Sequence, residues 1–462
     1  MTGDRLPDGF AVRLDPRTRR RDGGATLLGG SPLRLMRLAP RARELLDTDR
    51  LVVRDATSAA LAARLLDAGL AHPDLPDAAA VDGVTVVIPV KDRPAALARL
   101  LAALRADPAT THVPVVVVDD GSAVPVIAPG ARVVRHPTAR GPAAARNAGL
   151  RVVTTPLVAF LDSDCVPRPG WLTTLLPHLA DPRLAVVAPR IVALPGGRDG
   201  WVGRYEAAVS ALDMGERPAA VRPLSAVSYV PSAALLARRT ALGAGFDESM
   251  RVAEDVDLVW RLAAGGWRVR YEPAATVGHE HPTATGEWLR RRAFYGTGAA
   301  LLAERHGGLV APVVISPSSA VAWGLAYVGR PTAAAAVLAV PALRLARRLA
   351  RPGERPPVGP AALLVARGTA TAGRALARAV TRHHWPLALV AAVGSRRARR
   401  WVLAAAVLDA GIAWWPHRGA VGPVRFAVAR RLEDVAYGAG LWAGAVRARD
   451  PRALLPARPP RL

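Results

Sequence analysis

Apolar and polar positions change period along the chain, and each change marks an element. Phe10, Val12 and Leu14 alternate with polar residues, the pattern of a half-buried strand. Ser31-Pro32 offers an N-cap and a first-turn proline ahead of Leu35, Leu38 and Ala42, which predicts a helix there. Thr57 or Ser58 caps a second helix through Leu61, Leu65 and Leu66, and Gly69 suits a left-handed C-cap. His72 to Ala80, rich in Pro, Asp and Ala, reads as a linker. Short unbroken apolar runs then alternate with helical faces: a strand over 84–90, a helix over 95–104, and strands over 113–118 and 157–161. Such strands between amphipathic helices predict a parallel sheet covered on both faces. In such sheets ligands bind beyond the carboxyl ends of the strands.

Three polar clusters fall at those ends: Pro89-Val-Lys-Asp-Arg93, Asp119-Asp120 and Asp162-Ser-Asp164. Two carboxylates one residue apart repel unless a cation stands between them. Mg²⁺ or Mn²⁺ fits that pair, with diphosphate oxygens and water completing the shell. A solvated Asp-Ser-Asp turn fits the same three residues. A helix over 254–264, ended by Gly265-Gly266, puts Glu254 and Asp255 in its first turn, where the helix dipole favours their ionised form. Acidic residues there also serve as plain caps. His279 follows a strand over 269–271 and a short loop.

Charge and composition narrow the partners. The net charge is +25, carried almost wholly by arginine, since Lys91 is the single lysine. No interleaving of basic and aromatic residues suggests base stacking, so nucleic acid is not an expected partner. A nucleotide diphosphate or an anionic membrane surface is the better use of that charge. Cys165 stands alone, so no intramolecular disulfide forms. The first ten residues hold no apolar signal segment, and the catalytic part is expected in the cytoplasm. The last third is apolar and arginine-rich. Residues 307–329 are long enough for a membrane span but rich in Ser, Pro and Gly, and 424–447 reads as a basic amphipathic helix through Val428, Leu432, Val435 and Leu441. Membrane association, with one or more spans, is the expectation; an Ala-rich soluble helical domain is the other reading.

Taken in order, Val86-Val-Ile-Pro-Val-Lys-Asp-Arg93, Val117-Val-Asp-Asp-Gly-Ser122, Gly141-Pro-Ala-Ala-Ala-Arg-Asn-Ala-Gly149, Leu161-Asp-Ser-Asp164, and Gly245-Phe-Asp-Glu248 with Glu254-Asp-Val-Asp-Leu258 resemble the successive signatures of the family 2 glycosyltransferases. The resemblance implies an α/β fold: a GT-A nucleotide-binding sheet over 84–305, after a small winged-helix-like α+β domain over 1–80 and before an α-helical, apolar, membrane-associated region over 306–462. It makes Asp255, with Glu254, the catalytic pair, Asp255 being the general base and Asp257 the fallback. Pro89, Val90, Asp92, Asp119, Asp120, Arg140, Arg146, Asn147 and Asp162 become the nucleotide-sugar contacts. Asp119 or Asp120 would bind the uracil of a UDP-sugar donor; Arg146 and Asn147 serve either the nucleotide or their own loop. Asp164 and His279 would hold a divalent metal, Mn or Mg.

The front domain resembles winged-helix domains that hold precursor peptides, which implies a peptide carrier; a plain structural cap is the other reading. Trp288-Leu-Arg-Arg-Arg292 lacks the Gln-x-x-Arg-Trp of processive polysaccharide synthases. The whole layout, with Leu28-Gly-Gly-Ser-Pro-Leu-Arg-Leu-Met-Arg-Leu38, resembles the glycosyltransferase family of the mycofactocin system, which adds short β-linked glucose chains to a peptide-derived redox cofactor. That likeness implies an inverting, metal-dependent hexosyltransferase using UDP-glucose at the cytoplasmic face of a bacterial cell membrane, with a peptide-derived small-molecule acceptor. Transfer to a polyprenyl phosphate or cell-wall glycan, and a non-catalytic sugar-nucleotide or peptide scaffold, remain alternatives.

Overall fold

The computed structural model describes residues 5–46, 48–194, 200–350 and 355–459. The first four residues of the segment read for a signal sequence lie outside these. The chain forms two compact units, Met1–Asp199 with Val209–His281, and Gly200–Ala208 with Pro282–Leu462.

A nine-stranded sheet organises the first unit. Its order is Cys165–Pro167, Arg268–His279, Leu184–Ala193, Ala234–Arg238, Leu157–Leu161, Val84–Val90, Val115–Asp120 and Arg132–His136, with Ala219–Ala220 on the outer side of Arg268–His279. The last four strands of that order run parallel, and Ala234–Arg238 runs against both its neighbours. Val86, Val87, Ile88, Val117, Val118, Phe160 and Leu161 are all buried, because helices cover both faces and no side of these strands meets water. Helix Pro142–Val152 lies close on the sheet at Gly149, where a Cβ would stand 2.3 Å from Val87 Cγ1. The expected strands over 84–90, 115–118 and 157–161 are therefore parallel neighbours, but within a mixed sheet. Strand Arg268–His279 is longer than the three residues predicted. It pairs beside Leu184–Ala193 across an irregularity at Pro189/Arg190, so His279 ends the strand itself rather than a loop after it.

Ahead of the sheet, Ala11–Leu14 pairs antiparallel with Arg50–Val52 and Ala71–Pro73, over a core that includes Phe10, Val12, Leu61, Leu65 and Leu66. The helix expected after Ser31-Pro32 is instead a hairpin: Thr26–Gly29 pairs with Arg34–Arg37, and helix begins only at Pro40–Leu45. Gly30 turns the chain at φ +79°, and a Gly-Gly-Ser-Pro turn between two short apolar runs outweighs the capping signal. Helix Ala56–Ala68 is capped by Asp55, not Thr57 or Ser58. Ser58 is the third helical residue and completes a capping box, and Gly69 closes the helix at φ +65° as predicted.

The second unit is helical. Among the described residues no helix is long and apolar enough to cross a membrane. The 307–329 run breaks into the turn Gly307–Val310 and the helix Pro317–Tyr327, so no span is seen there. Helix Pro423–Ala448 covers the predicted amphipathic segment, and its apolar stripe is exposed except at Leu441. Phe426, Arg430, Glu433, Asp434 and Leu441 are buried, whereas Val428, Leu432 and Val435 are exposed. The buried charges are matched: Arg430 grips Asp409 with two bonds of 2.6 and 2.9 Å, Arg382 pairs Asp434 at 3.0 Å, and Tyr205 donates to Glu433 at 2.9 Å.

Candidate active site

Where strands Val84–Val90, Val115–Asp120 and Leu157–Leu161 leave the sheet, their carboxyl ends open on a cavity of about 500 Å³ lined by Pro89, Val90, Arg93, Asp120, Asp162, Asp164 and Arg251, among others. Asp92 ties two of these ends together. Its N–H donates to Ser122 Oγ (3.0 Å), and its carboxylate accepts from Ala123 N (2.8 Å). Asp119 and Asp120 part company. Asp119 is fully buried, accepting from Ser122 N, Val126 N and Arg135, which fixes the turn. Asp120 lines the cavity and accepts from His136 Nδ1 (2.7 Å) and from the N–H groups of Arg140 (2.9 Å) and Gly141 (2.8 Å).

Arg146 joins the two acidic segments. It projects from helix Pro142–Val152, donating to Asp162 Oδ1 at 2.6 Å and to Glu254 Oε1 at 2.9 Å, with its guanidinium 5.4 Å from the Phe246 ring centroid. Burial opposes its charge, but Asp162 and Glu254 prevail and raise its pKa further. A second link runs through adjacent residues of one loop: Ala233 O accepts from Asp162 N (2.9 Å), while Ser232 N donates to Asp255 Oδ2 (3.3 Å). Asp162, in the cavity lining, and Glu254, at the helix end, are therefore held by one guanidinium, that of Arg146. Asn147 clamps the Gly245–Glu248 loop. It accepts from Phe246 N (2.9 Å) and donates to Phe246 O (2.8 Å) and Glu248 Oε1 (3.1 Å). The Arg140 guanidinium is also bound to Glu248, at 2.8 Å.

Helix Glu254–Ala264 starts where predicted, after Ala253 at φ +65°. A left-handed alanine costs about 1–2 kcal/mol, and it sits directly before the acidic pair. Asp255 is half-buried and accepts from Val256 N at 2.8 Å. Burial and the neighbouring Glu254 push its carboxyl up to about 7, against Arg146 and the two backbone N–H groups. A carboxylate so raised suits proton abstraction near neutral pH. Asp257 is only 1% exposed and ion-paired with Arg261 at 2.7 Å, so it is not placed as a base.

Pairing of Cys165 with His279 across two strands brings His279 Nε2 to 3.4 Å from Asp164 Oδ1. Arg93 donates to Asp164 Oδ2 at 2.6 Å. Among the described residues no group of three His, Cys, Asp or Glu gathers that could hold a metal. One carboxylate oxygen and one imidazole nitrogen fit Mn²⁺ or Mg²⁺ as a partial donor set, the phosphate oxygens of a substrate supplying the rest. The Cys165 thiol is pushed well up by burial, which leaves it a packing group. Arg93, Arg251 and Ser232 went unassigned in the sequence. Arg93 stood at the end of a recognisable strand motif, whereas Arg251 sits in a loop with no local signal.

Residues 85–242 match the family described as Glycosyl transferase family 2, a span that stops short of Glu254 and Asp255. The pre-mycofactocin glycosyltransferase of Mycobacterium tuberculosis, in strains CDC 1551 and H37Rv, is 50% identical over 99% of both chains. The succinoglycan biosynthesis protein ExoU of Rhizobium meliloti is 29% identical over 42% of this chain and 60% of its own. Among solved structures, the mannosyltransferase PcManGT of Pyrobaculum calidifontis, in complex with GDP-Man and Mn²⁺, shares 21% identity at a TM-score of 0.38, over 73% of this chain and 89% of that one.

Proposed function

The chain belongs to the family 2 glycosyltransferases, and from that premise we propose that it moves a hexose, glucose from UDP-glucose, to a hydroxyl of the peptide-derived redox cofactor mycofactocin or its precursor. Identity of 50% over the full length to a pre-mycofactocin glycosyltransferase supports the acceptor. The observation that supports the chemistry is the Arg146 bridge, which joins Asp162 in the cavity lining to Glu254, the neighbour of Asp255.

On this reading Asp255 takes the proton of the acceptor hydroxyl, and that oxygen attacks the anomeric carbon opposite the leaving diphosphate. The new glycosidic bond forms as the bond from the anomeric carbon to the diphosphate oxygen breaks; UDP departs with that electron pair. One displacement inverts the centre, so an α-linked donor yields a β-linked product, and repetition builds a short chain. Asp120, in the cavity lining, is the acceptor for the uracil N–H on this reading, and Asp162, also in the lining, serves the ribose and sugar. Arg93 and Arg251 bring positive charge to the phosphates. A divalent metal held by Asp164 and His279 supplies Lewis-acid stabilisation of the departing charge when bound. The front α+β module is proposed to hold a peptide carrier.

The cytoplasmic membrane face is the proposed location. Support comes from the second unit, whose helix Trp385–Gly394 exposes Leu387, Leu389, Val390 and Val393 and is followed by Arg396, Arg397, Arg399 and Arg400. Apolar side chains next to an arginine cluster suit an anionic lipid surface.

The test is incubation of purified protein with UDP-glucose, Mn²⁺ and either the cofactor precursor or a polyprenyl phosphate, read by mass spectrometry. Stepwise hexose increments on the precursor are expected. Increments on the lipid alone would move the acceptor, and none on either would remove the donor assignment.

A further inference from the structure

At the edge of the first unit opposite the catalytic crevice, where strand Arg268–His279 begins, a second cavity of about 280 Å³ opens beside helix Ala56–Ala68. Asp67, Arg183, Arg222, Arg268 and Arg270 line it. These side chains do not satisfy one another equally. Arg268 is well held, with bonds of 2.9 and 3.1 Å to the two oxygens of Asp67 and 2.8 Å to Asp181. Arg183 reaches Asp67 at 3.2 Å, but Arg222 comes only to 3.8 Å, beyond hydrogen-bond distance. Arg270 is 2% exposed, and its Nε has no hydrogen-bond partner among the described residues.

The positive charge is held from behind. His72 Nε2 lies 3.0 Å from Asp15, and His72 Nδ1 lies 2.8 Å from the Arg270 guanidinium, so the imidazole donates to the carboxylate and accepts from Arg270. Burial and the adjacent Arg270 push His72 down to about 4, which keeps it neutral, an acceptor rather than a counter-charge. Four guanidinium groups thus share Asp67 and Asp181 with Glu272, whose own carboxyl burial pushes up. Arg222 is held below its usual pKa by burial and by Arg34, Arg268 and Arg183, with Asp67 opposing. Arg183, Arg222 and Asp67 are each about a third exposed, and four guanidinium groups face three carboxylates, so the concave site carries a net positive charge that an anion can meet.

We propose that this cavity is a binding site for an organic carboxylate, separate from the sugar-nucleotide crevice and independent of the transfer chemistry. The planar fork of Arg222 matches a carboxylate in two-bond geometry. Asp67, already facing the cavity, disfavours a phosphate dianion at the same range. The volume takes a group of about one amino-acid residue.

Calorimetry on the full chain tests this, with N-acetyl-alanyl-alanine and its C-terminal amide as probes, each with and without saturating UDP and Mn²⁺. The acid is expected to bind at least tenfold more tightly than the amide, with UDP leaving that binding unchanged. Arg222→Gln, and separately Arg183→Gln, should weaken the acid at least tenfold while UDP affinity and melting temperature hold. No binding of the acid at millimolar concentration, equal binding of acid and amide, competition by UDP, or full affinity in both variants would overturn the proposal.

Discussion

The two units bury opposite things. In the sheet unit, valine and leucine fill the interior and the carboxylates gather at strand ends, facing a crevice. In the helical unit, Arg382, Asp409, Arg430, Glu433 and Asp434 are inside, while Val390, Val393, Val407 and Val428 face outward. The two arrangements serve different ends. Sheet-unit carboxylates such as Asp120, Asp162 and Asp164 line a cavity. The helical unit's charges neutralise one another, and its apolar surface is left for something else. That exposed apolar surface is what the proposed membrane seat rests on.

Substitutions sharpen this contrast. Val187→Asp, which sets an unpaired carboxylate in a fully buried strand, should abolish the cooperative thermal transition. Asp409→Ala removes the partner of a buried arginine and should cost about 3–5 kcal/mol in denaturant unfolding; a loss under 1 kcal/mol would mean that the ion network is wet. Gly149→Ala should cost about 1–3 kcal/mol by pressing helix Pro142–Val152 off Val87. Val390→Asp is the opposite case. Stability should stay within about 0.5 kcal/mol, while binding to phosphatidylserine vesicles in a sedimentation assay falls at least tenfold. Unchanged vesicle binding would remove that helix from the proposed membrane seat.

Titration of Asp255 gives two effects of opposite sign. Its folded carboxyl is raised from 3.8 to about 7 by burial and by Glu254. Only the ionised form accepts a proton, so turnover should climb about tenfold per pH unit below 7 and level off above. The folded state holds that proton more tightly than the unfolded chain does. This group's contribution to stability is therefore full below about pH 4 and lost as pH rises through 7.

What the sequence disclosed and what it hid follow from the kind of signal involved. Unbroken valine runs and strand-end aspartates are local, so the sheet and the crevice acids could be read directly. Helix Glu254–Ala264 was legible because its caps are local too. Helix Pro423–Ala448 is legible from its period, but its buried charges Arg430, Glu433 and Asp434 are not, because their partners Asp409 and Arg382 come from distant helices. The Gly29–Arg34 turn was misread because one proline served two grammars, helix start and hairpin turn. Arg251 and the Arg222–Arg270 cavity depend on distant segments meeting, which no window of sequence contains.

On the proposed reading the helix-end carboxylate performs proton transfer beside a donor site it does not build. Asp255→Asn keeps the shape and removes the base. Turnover should fall about 10²–10⁴-fold while calorimetric affinity for UDP with Mn²⁺ stays within threefold. Turnover near the wild-type value, or loss of UDP affinity in step with turnover, would contradict it.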